Sequence, residues 1–515
     1  MTAPAADSPA KDDIAALAKG GRTNFFGFLL RLAARLPFLF IAGRVYGPDL
    51  LGRFAYAIIV IELAAQLATI GLKRGLAQQL STTEQPHVCV VADGLLAAFI
   101  ASALASAVLM LFPQAMFPAG DIRGAEWLLP LVIFGIAGAD VALAALAYRH
   151  DVASTVQVRA IVEPWTISIA AAAMIFLSSR DGLIIAYVIS IAAGLAWAFW
   201  RLYRSYGVPH GWKPNPAALL AVARRNVPLA AADAIEWGSR RIDIFILGLF
   251  VAPYYVGVYY VAQQVASLPQ KLKTSFDPIL APVITAALAE GDKKAVAKQV
   301  RQVGFWIIAA QAGIGLALGI PGEAVMGLVG PQFVGGTAAL AFLLAAETVA
   351  ATAAVSEAAL VYVARHRNLL ISLLMIAVQA VLTVGFILAL EIVGWPQDPA
   401  RRQAFQAAAA ALALTLALGL ASVLKSNLLS HLLGGPVQGW RWSLIWAAAA
   451  ATITGYGFTI LPHAYEWIEL VIGIPIILFV FGLVVWLRGF TSEDRALFRK
   501  HGDEDPSLPP PGSES

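Results

Sequence analysis

About fourteen runs of roughly twenty residues along this chain are apolar enough to cross a bilayer, and that recurrence leaves few folds open. Inside hydrocarbon every backbone N–H and C=O must be paired within the protein, so only helices or a closed barrel can span. A barrel strand needs about 9–11 residues and a helix about twenty, so the run length selects helices. The spans read 23–46, 52–72, 88–112, 127–148, 158–178 and 182–202, then 227–251, 254–282, 300–320, 337–362, 368–391 and 404–424, and last 441–461 and 467–488. The expected fold is an all-α polytopic membrane protein. Only 13% of residues are charged and 59% are hydrophobic, against about 25% charged in soluble domains, which excludes a soluble enzyme. The opening residues lack the apolar core of a cleaved signal, so the first span is expected to direct insertion.

Lys and Arg in short loops set orientation. With the N-terminus inside, inward loops collect Lys73, Arg74, Arg149, Arg159, Arg201, Arg204, Lys271, Lys273, Arg365, Arg367, Lys425 and Arg441, and both tails are basic near the membrane. The outward side holds Arg44, Arg53, Arg123, Arg180, Arg401 and Arg402. Both termini are therefore expected in the cytoplasm. The same asymmetry accounts for the net charge of +4 without a nucleic-acid partner. Cys89 is the single cysteine, which excludes an internal disulfide and a thiolate cluster. The seven histidines fall at span ends, in loops or in tails, and neither HExxH nor P-loop spacing occurs. No metal, cofactor or catalytic residue is expected.

The chain repeats itself. Shifted by 205 residues, Arg35 falls on Arg240, Phe40 on Phe245, Ile41 on Ile246, Gly43 on Gly248, Pro48 on Pro253, Gly52 on Gly257 and Ala57 on Ala262. Six spans separate the copies, so both enter the membrane in the same sense, and parallel repeats are a transporter architecture. The expected layout is a cytoplasmic tail 1–22, an N-lobe 23–202, a basic linker 203–226, a C-lobe 227–424, a helix pair 441–488 and a cytoplasmic tail 489–515 with a disordered end.

Charges inside the spans are the candidate functional groups, because each costs at least about 2.5–3.5 kcal/mol at the bilayer centre. Arg31 and Arg35 lie one turn apart and share a face with Asn24; Arg240 and Arg241 occupy the matching span of the second repeat. Guanidinium stays charged and binds phosphate oxygens bidentately, so two such helices facing each other predict a cationic chamber for phosphate or pyrophosphate. The alternative is neutralisation by acids on neighbouring helices, with Asp233, Glu236, Asp243, Asp140, Glu62, Glu347 and Glu357 as candidates; for Arg241 neutralisation is the preferred reading, for Arg35 and Arg240 anion binding. As one continuous helix, 227–251 places Asp233, Glu236, Arg240 and Asp243 on one side, with Glu236 and Arg240 a local pair. Asp140, Asp233, Glu236, Asp243, Glu347 and Glu357 are candidates for ion coupling or charge pairing, since buried carboxylates can carry protons.

The Asn24 span, Gly47-Pro48, Gly52-Arg53-Phe54, Gly71-Leu72-Lys73-Arg74, the repeated start at 226–262 and Gly330-Pro331-Gln332-Phe333 together resemble the polysaccharide biosynthesis transporters. These are the O-antigen and exopolysaccharide flippases of the multidrug/oligosaccharidyl-lipid/polysaccharide exporter superfamily. The resemblance covers roughly 20–488. It implies two six-helix lobes forming a V-shaped cavity, a final helix pair, and a bacterial cytoplasmic membrane. It further implies an undecaprenyl-pyrophosphate-linked oligosaccharide as substrate, contact with membrane lipid and polysaccharide assembly proteins as partners. Two rivals remain at this level. A cation-coupled multidrug antiporter shares the superfamily and would want an acidic cavity. A membrane glycosyltransferase or polymerase would want larger outward loops.

Overall fold

Deprived of water, each apolar run closes its own backbone hydrogen bonds as helix. The computed structural model describes residues 36–118, 120, 122–239, 241–269, 293–460 and 466–491, which are helical throughout their apolar stretches and hold no β-strand. Nine helices among them are long and apolar enough to cross a membrane. Of the other expected spans, 227–251 is interrupted, 158–178 carries a π-helical turn and 441–461 is shorter, while 23–46 and 254–282 lie partly outside the described residues. The tails 1–22 and 492–515 and the loop 283–292 lie outside the described residues.

The first lobe contains α1 (Gly47–Ala68), α2 (Leu72–Thr82), α3 (His87–Leu111), α4 (Val132–Tyr148), α5 (Glu163–Met174) and α6 (Gly182–Tyr206). The second contains α7 (Pro216–Ser239), α8 (Ile242–Phe250), α9 (253–269), α10 (Lys293–Gly319), α11 (Thr337–Ala351), α12 (Ala354–Val363), α13 (Arg365–Val393) and α14 (Pro399–Leu433). A final pair, α15 (Ser443–Thr459) and α16 (Glu466–Gly489), packs on itself and on α10. Within the first lobe α4 and α5 pack on α6; within the second, α11 and α13 pack on α14.

The lobes meet where α1 crosses α9, and the crossing is reciprocal. A Cβ on Gly52 would lie 2.5 Å from the Gly257 nitrogen and inside the Pro253 carbonyl; a Cβ on Gly257 would lie 2.9 Å from the Gly52 nitrogen and inside the Pro48 carbonyl. Residue i touching j while j touches i marks a two-fold contact, and these pairs are those related by the 205-residue shift. Without a hydrophobic drive between helices in lipid, close approach through small residues is what holds them. Around this crossing Leu51, Tyr259 and Phe333 are fully buried in one core that spans both lobes. Arg44 adds hydrogen bonds of 3.2 and 2.9 Å to the Leu328 carbonyl, and the Gln332 amide donates to the Gly43 carbonyl at 3.1 Å.

Three sequence expectations change. The linker 203–226 is helical at both ends, because α6 runs to Tyr206 and α7 starts at Pro216. The span 227–251 is not one helix: α7 stops at Ser239 and α8 starts at Ile242, with Arg241 in a turn. Gly238 and Ser239 are weak helix formers, and a helix broken at mid-membrane can present polar groups to a cavity. The span 337–362 breaks at Thr352–Ala353, separating Glu347 on α11 from Glu357 on α12.

By sequence α7 belongs to the second lobe, yet it packs on α1, α2 and α3 of the first. Gly71 makes this possible. It opens α2 in the left-handed region (φ +68), and a Cβ there would lie 2.6 Å from the Ala230 nitrogen. Beside it Arg74 bonds Asp233 at 2.7 Å and Glu236 at 2.5 Å.

Candidate functional site

Beyond the Gly52–Gly257 contact the two crossing helices diverge and enclose a cavity of about 560 Å³. Phe54, Ile58, Glu62 and Gln66 line it from α1 at a spacing of four, which keeps them on one face. Tyr260, Gln264, Ser267 and Leu268 line it from the second half of α9. The contact points lie at the helix starts and the lining residues beyond them, so the V opens toward Lys73, at the start of α2.

The floor of the first lobe carries a charge cluster. Residues Gln157–Val162 form a π-helical turn before α5, a widening often found at functional sites. Pro164, the second residue of α5, has no N–H to return to the preceding turn. The widened turn directs Arg159 between two carboxylates: it is ion-paired to Asp140 on α4 and lies 2.6 Å from Glu163. Tyr187 on α6 is within electrostatic reach of Arg159, Glu163, Glu62 and Arg241. From the other lobe Arg241 reaches Glu62 at 3.2 Å, its guanidinium 5.5 Å from the Trp237 ring centroid.

The charged lining among the described residues therefore balances: Glu62, Asp140 and Glu163 against Lys73, Arg159 and Arg241. Of the groups expected to form a cationic chamber, Arg241 lines this cavity. Asn24, Arg31, Arg35 and Arg240 lie outside the described residues. Of the six candidate acids, Asp140 borders the cavity. Asp233 and Glu236 grip Arg74, and the helix break separates them from Asp243. Asp243 is buried on α8, accepting from the Tyr259 hydroxyl at 2.6 Å and the Gln263 amide at 3.1 Å. Glu357 pairs with Lys425 at 3.0 Å, and Glu347 does not line the cavity. Lys425, expected in a loop, is buried within α14.

Sequence reasoning missed Arg159 and Glu163. The signal was present as a base and an acid four residues apart beside a proline in an apolar run, but a basic residue at a span start reads as an interfacial anchor. Among the described residues no group of His, Cys, Asp and Glu could hold a metal ion.

The fold is that of a membrane transporter. The lipid II flippase MurJ in an inward closed conformation superposes with a TM-score of 0.66 at 12% identity, covering 94% of this chain and all of that one. A multidrug resistance MATE family transporter of the MOP superfamily, inward-facing, gives 0.61 at 15% identity, covering 79% of this chain and 98% of that one. A MOP superfamily transporter from Pyrococcus furiosus, described as having a binding pocket of reverse polarity, gives 0.56 at 14% identity, covering 81% and 95%. No curated protein matches the chain in sequence at a significant level. The sequence profile of the polysaccharide biosynthesis protein family matches residues 41–312, just over half of the chain, and the chain belongs to that family.

Proposed function

We propose that the protein flips an undecaprenyl-pyrophosphate-linked oligosaccharide across the bacterial cytoplasmic membrane by alternating access, in O-antigen or exopolysaccharide synthesis. The observation that carries this reading is Arg241. It stands at a break in a membrane helix, on the wall of a cavity between two lobes, in a member of the polysaccharide biosynthesis family. A guanidinium there offers a planar fork to phosphate oxygens. The headgroup enters from the Lys73 end, the inward side by the loop-charge rule, while the polyprenyl tail stays in hydrocarbon. Separation of the lobes at the Gly52–Gly257 crossing then opens the other side. Arg31, Arg35, Arg240 and Asn24 are assigned to the same anion site on sequence grounds. Asp140 is assigned to ion coupling, and Asp233 and Glu236 to charge pairing.

The test is reconstitution with a defined pyrophosphate-linked sugar. Wild type should move it, and Arg35→Ala, Arg240→Ala and Arg241→Ala should each slow it at least tenfold; unchanged transport in all three overturns the reading. The three lining acids favour a second reading, a cation-coupled drug exporter. Vesicle transport of a cationic dye with no transport of the pyrophosphate-linked sugar would establish that rival.

A further inference from the structure

Among the described residues lining the cavity, one ion pair joins the two lobes: Glu62 of α1 with Arg241 of the second lobe. The pair is open to the cavity, with side chains 25% and 35% exposed. At 3.2 Å it is longer than the about 2.7–2.9 Å of a tight charge-assisted contact. Arg241 has five N–H donors to offer. Glu62 is not comfortable elsewhere, because Glu163 lies within electrostatic reach of it and repels it. Arg159, another base on the cavity wall, is already held by Asp140 and Glu163.

We propose that Glu62 is the resident counter-ion of the anion site and thereby sets its specificity. A ligand gains the full fork of Arg241 only by taking the place of this carboxylate, which leaves Glu62 without its base and within reach of Glu163. A neutral sugar cannot drive that exchange. A monophosphate drives it weakly, and a pyrophosphate, with more charge and more acceptor oxygens, drives it well. The exchange also removes a direct tie between the lobes at the moment the headgroup is seated. The inference rests on the flippase reading and names the residue that selects a diphosphate over a monophosphate.

The test uses the purified full chain in nanodiscs with geranyl pyrophosphate, geranyl monophosphate and geraniol as probes, and a thermal melt for each variant. Wild type should bind the pyrophosphate over the monophosphate and geraniol least. Glu62→Gln should tighten the pyrophosphate about tenfold and narrow its lead over the monophosphate. That gain should vanish in an Arg241→Gln background. Glu62→Asp keeps the charge on a shorter arm and should tighten the pyrophosphate by a smaller factor, about two- to threefold, so it reads the same comparison if Glu62→Gln does not fold. A folded Glu62→Gln with unchanged or weaker pyrophosphate affinity overturns the inference, as does a gain that persists without Arg241. Wild type binding geraniol as tightly as the pyrophosphate overturns the flippase reading itself.

Discussion

Arg159 shows how a membrane protein keeps a charge at depth. Its two carboxylate partners come from α4 and α5, and removing the base would leave both acids facing each other. Breaking a buried pair from one side costs several kcal/mol. Arg159→Ala should therefore destabilise by about 3 kcal/mol, and adding Asp140→Asn and Glu163→Gln should restore most of the loss. Thermal melts of the single and triple variants check this. A neutral outcome for the single variant would mean the acids are solvated from the cavity. Asp151 makes a separate case outside the membrane spans. It caps the short helix Val152–Val156, accepting from the Ser154 amide and hydroxyl and from Arg201 at 2.7 Å. Burial raises its pKa, but the hydrogen bonds from Ser154 and Arg201 outweigh burial and hold it below the usual carboxylate value. A lowered native pKa stabilises above the unfolded value, and that stability is lost as pH falls through the native one. Asp151→Ala should cost about 1 kcal/mol at pH 7. Its melting difference from wild type should shrink as pH drops below about 4.

At the scale of elements, the α1–α9 crossing is the hinge of the account. Its closeness depends on two glycines meeting each other's backbone, and a backbone atom cannot swing aside as a side chain can. Gly52→Val should push the lobes apart at this end and empty the state in which it is closed. With Cys89 replaced by Ser, a single cysteine at Val45, exposed beside this end, should then react with a membrane-impermeant maleimide at a rate unlike that in the protein with Gly52 intact. Equal labelling would show that the crossing tolerates the added bulk. The ends of α7 carry a second tie. Arg74→Ala removes the partner of Asp233, which is 4% exposed, and of Glu236, which is 59% exposed. Asp233 should account for most of the loss, since exposed pairs contribute little. Comparing melts of Asp233→Asn and Glu236→Gln checks that ranking.

For the whole molecule, much of the architecture was legible beforehand. The apolar runs are long, and a period that shared Arg, Pro and Gly positions announced the two-fold relation that Gly52 and Gly257 display. Less of the cavity was legible. Periodicity assumes an unbroken helix, and the break before Ile242 sent Asp233, Glu236 and Asp243 to different partners. Charge counting by loop likewise hid Arg159 and Lys425, because a base near a span end looks the same in sequence whether it snorkels to water or turns inward. Pairing across lobes, such as Glu62 with Arg241, has no local signature at all. The fold is one shared with transporters, and on the proposed reading the polarity of the cavity decides what is carried. The most direct measurement is the flipping rate of a pyrophosphate-linked sugar in proteoliposomes containing wild type or Arg241→Gln, each shown by melting to be folded. At least a tenfold loss is expected for the variant; equal rates would contradict a role for Arg241 in binding the headgroup.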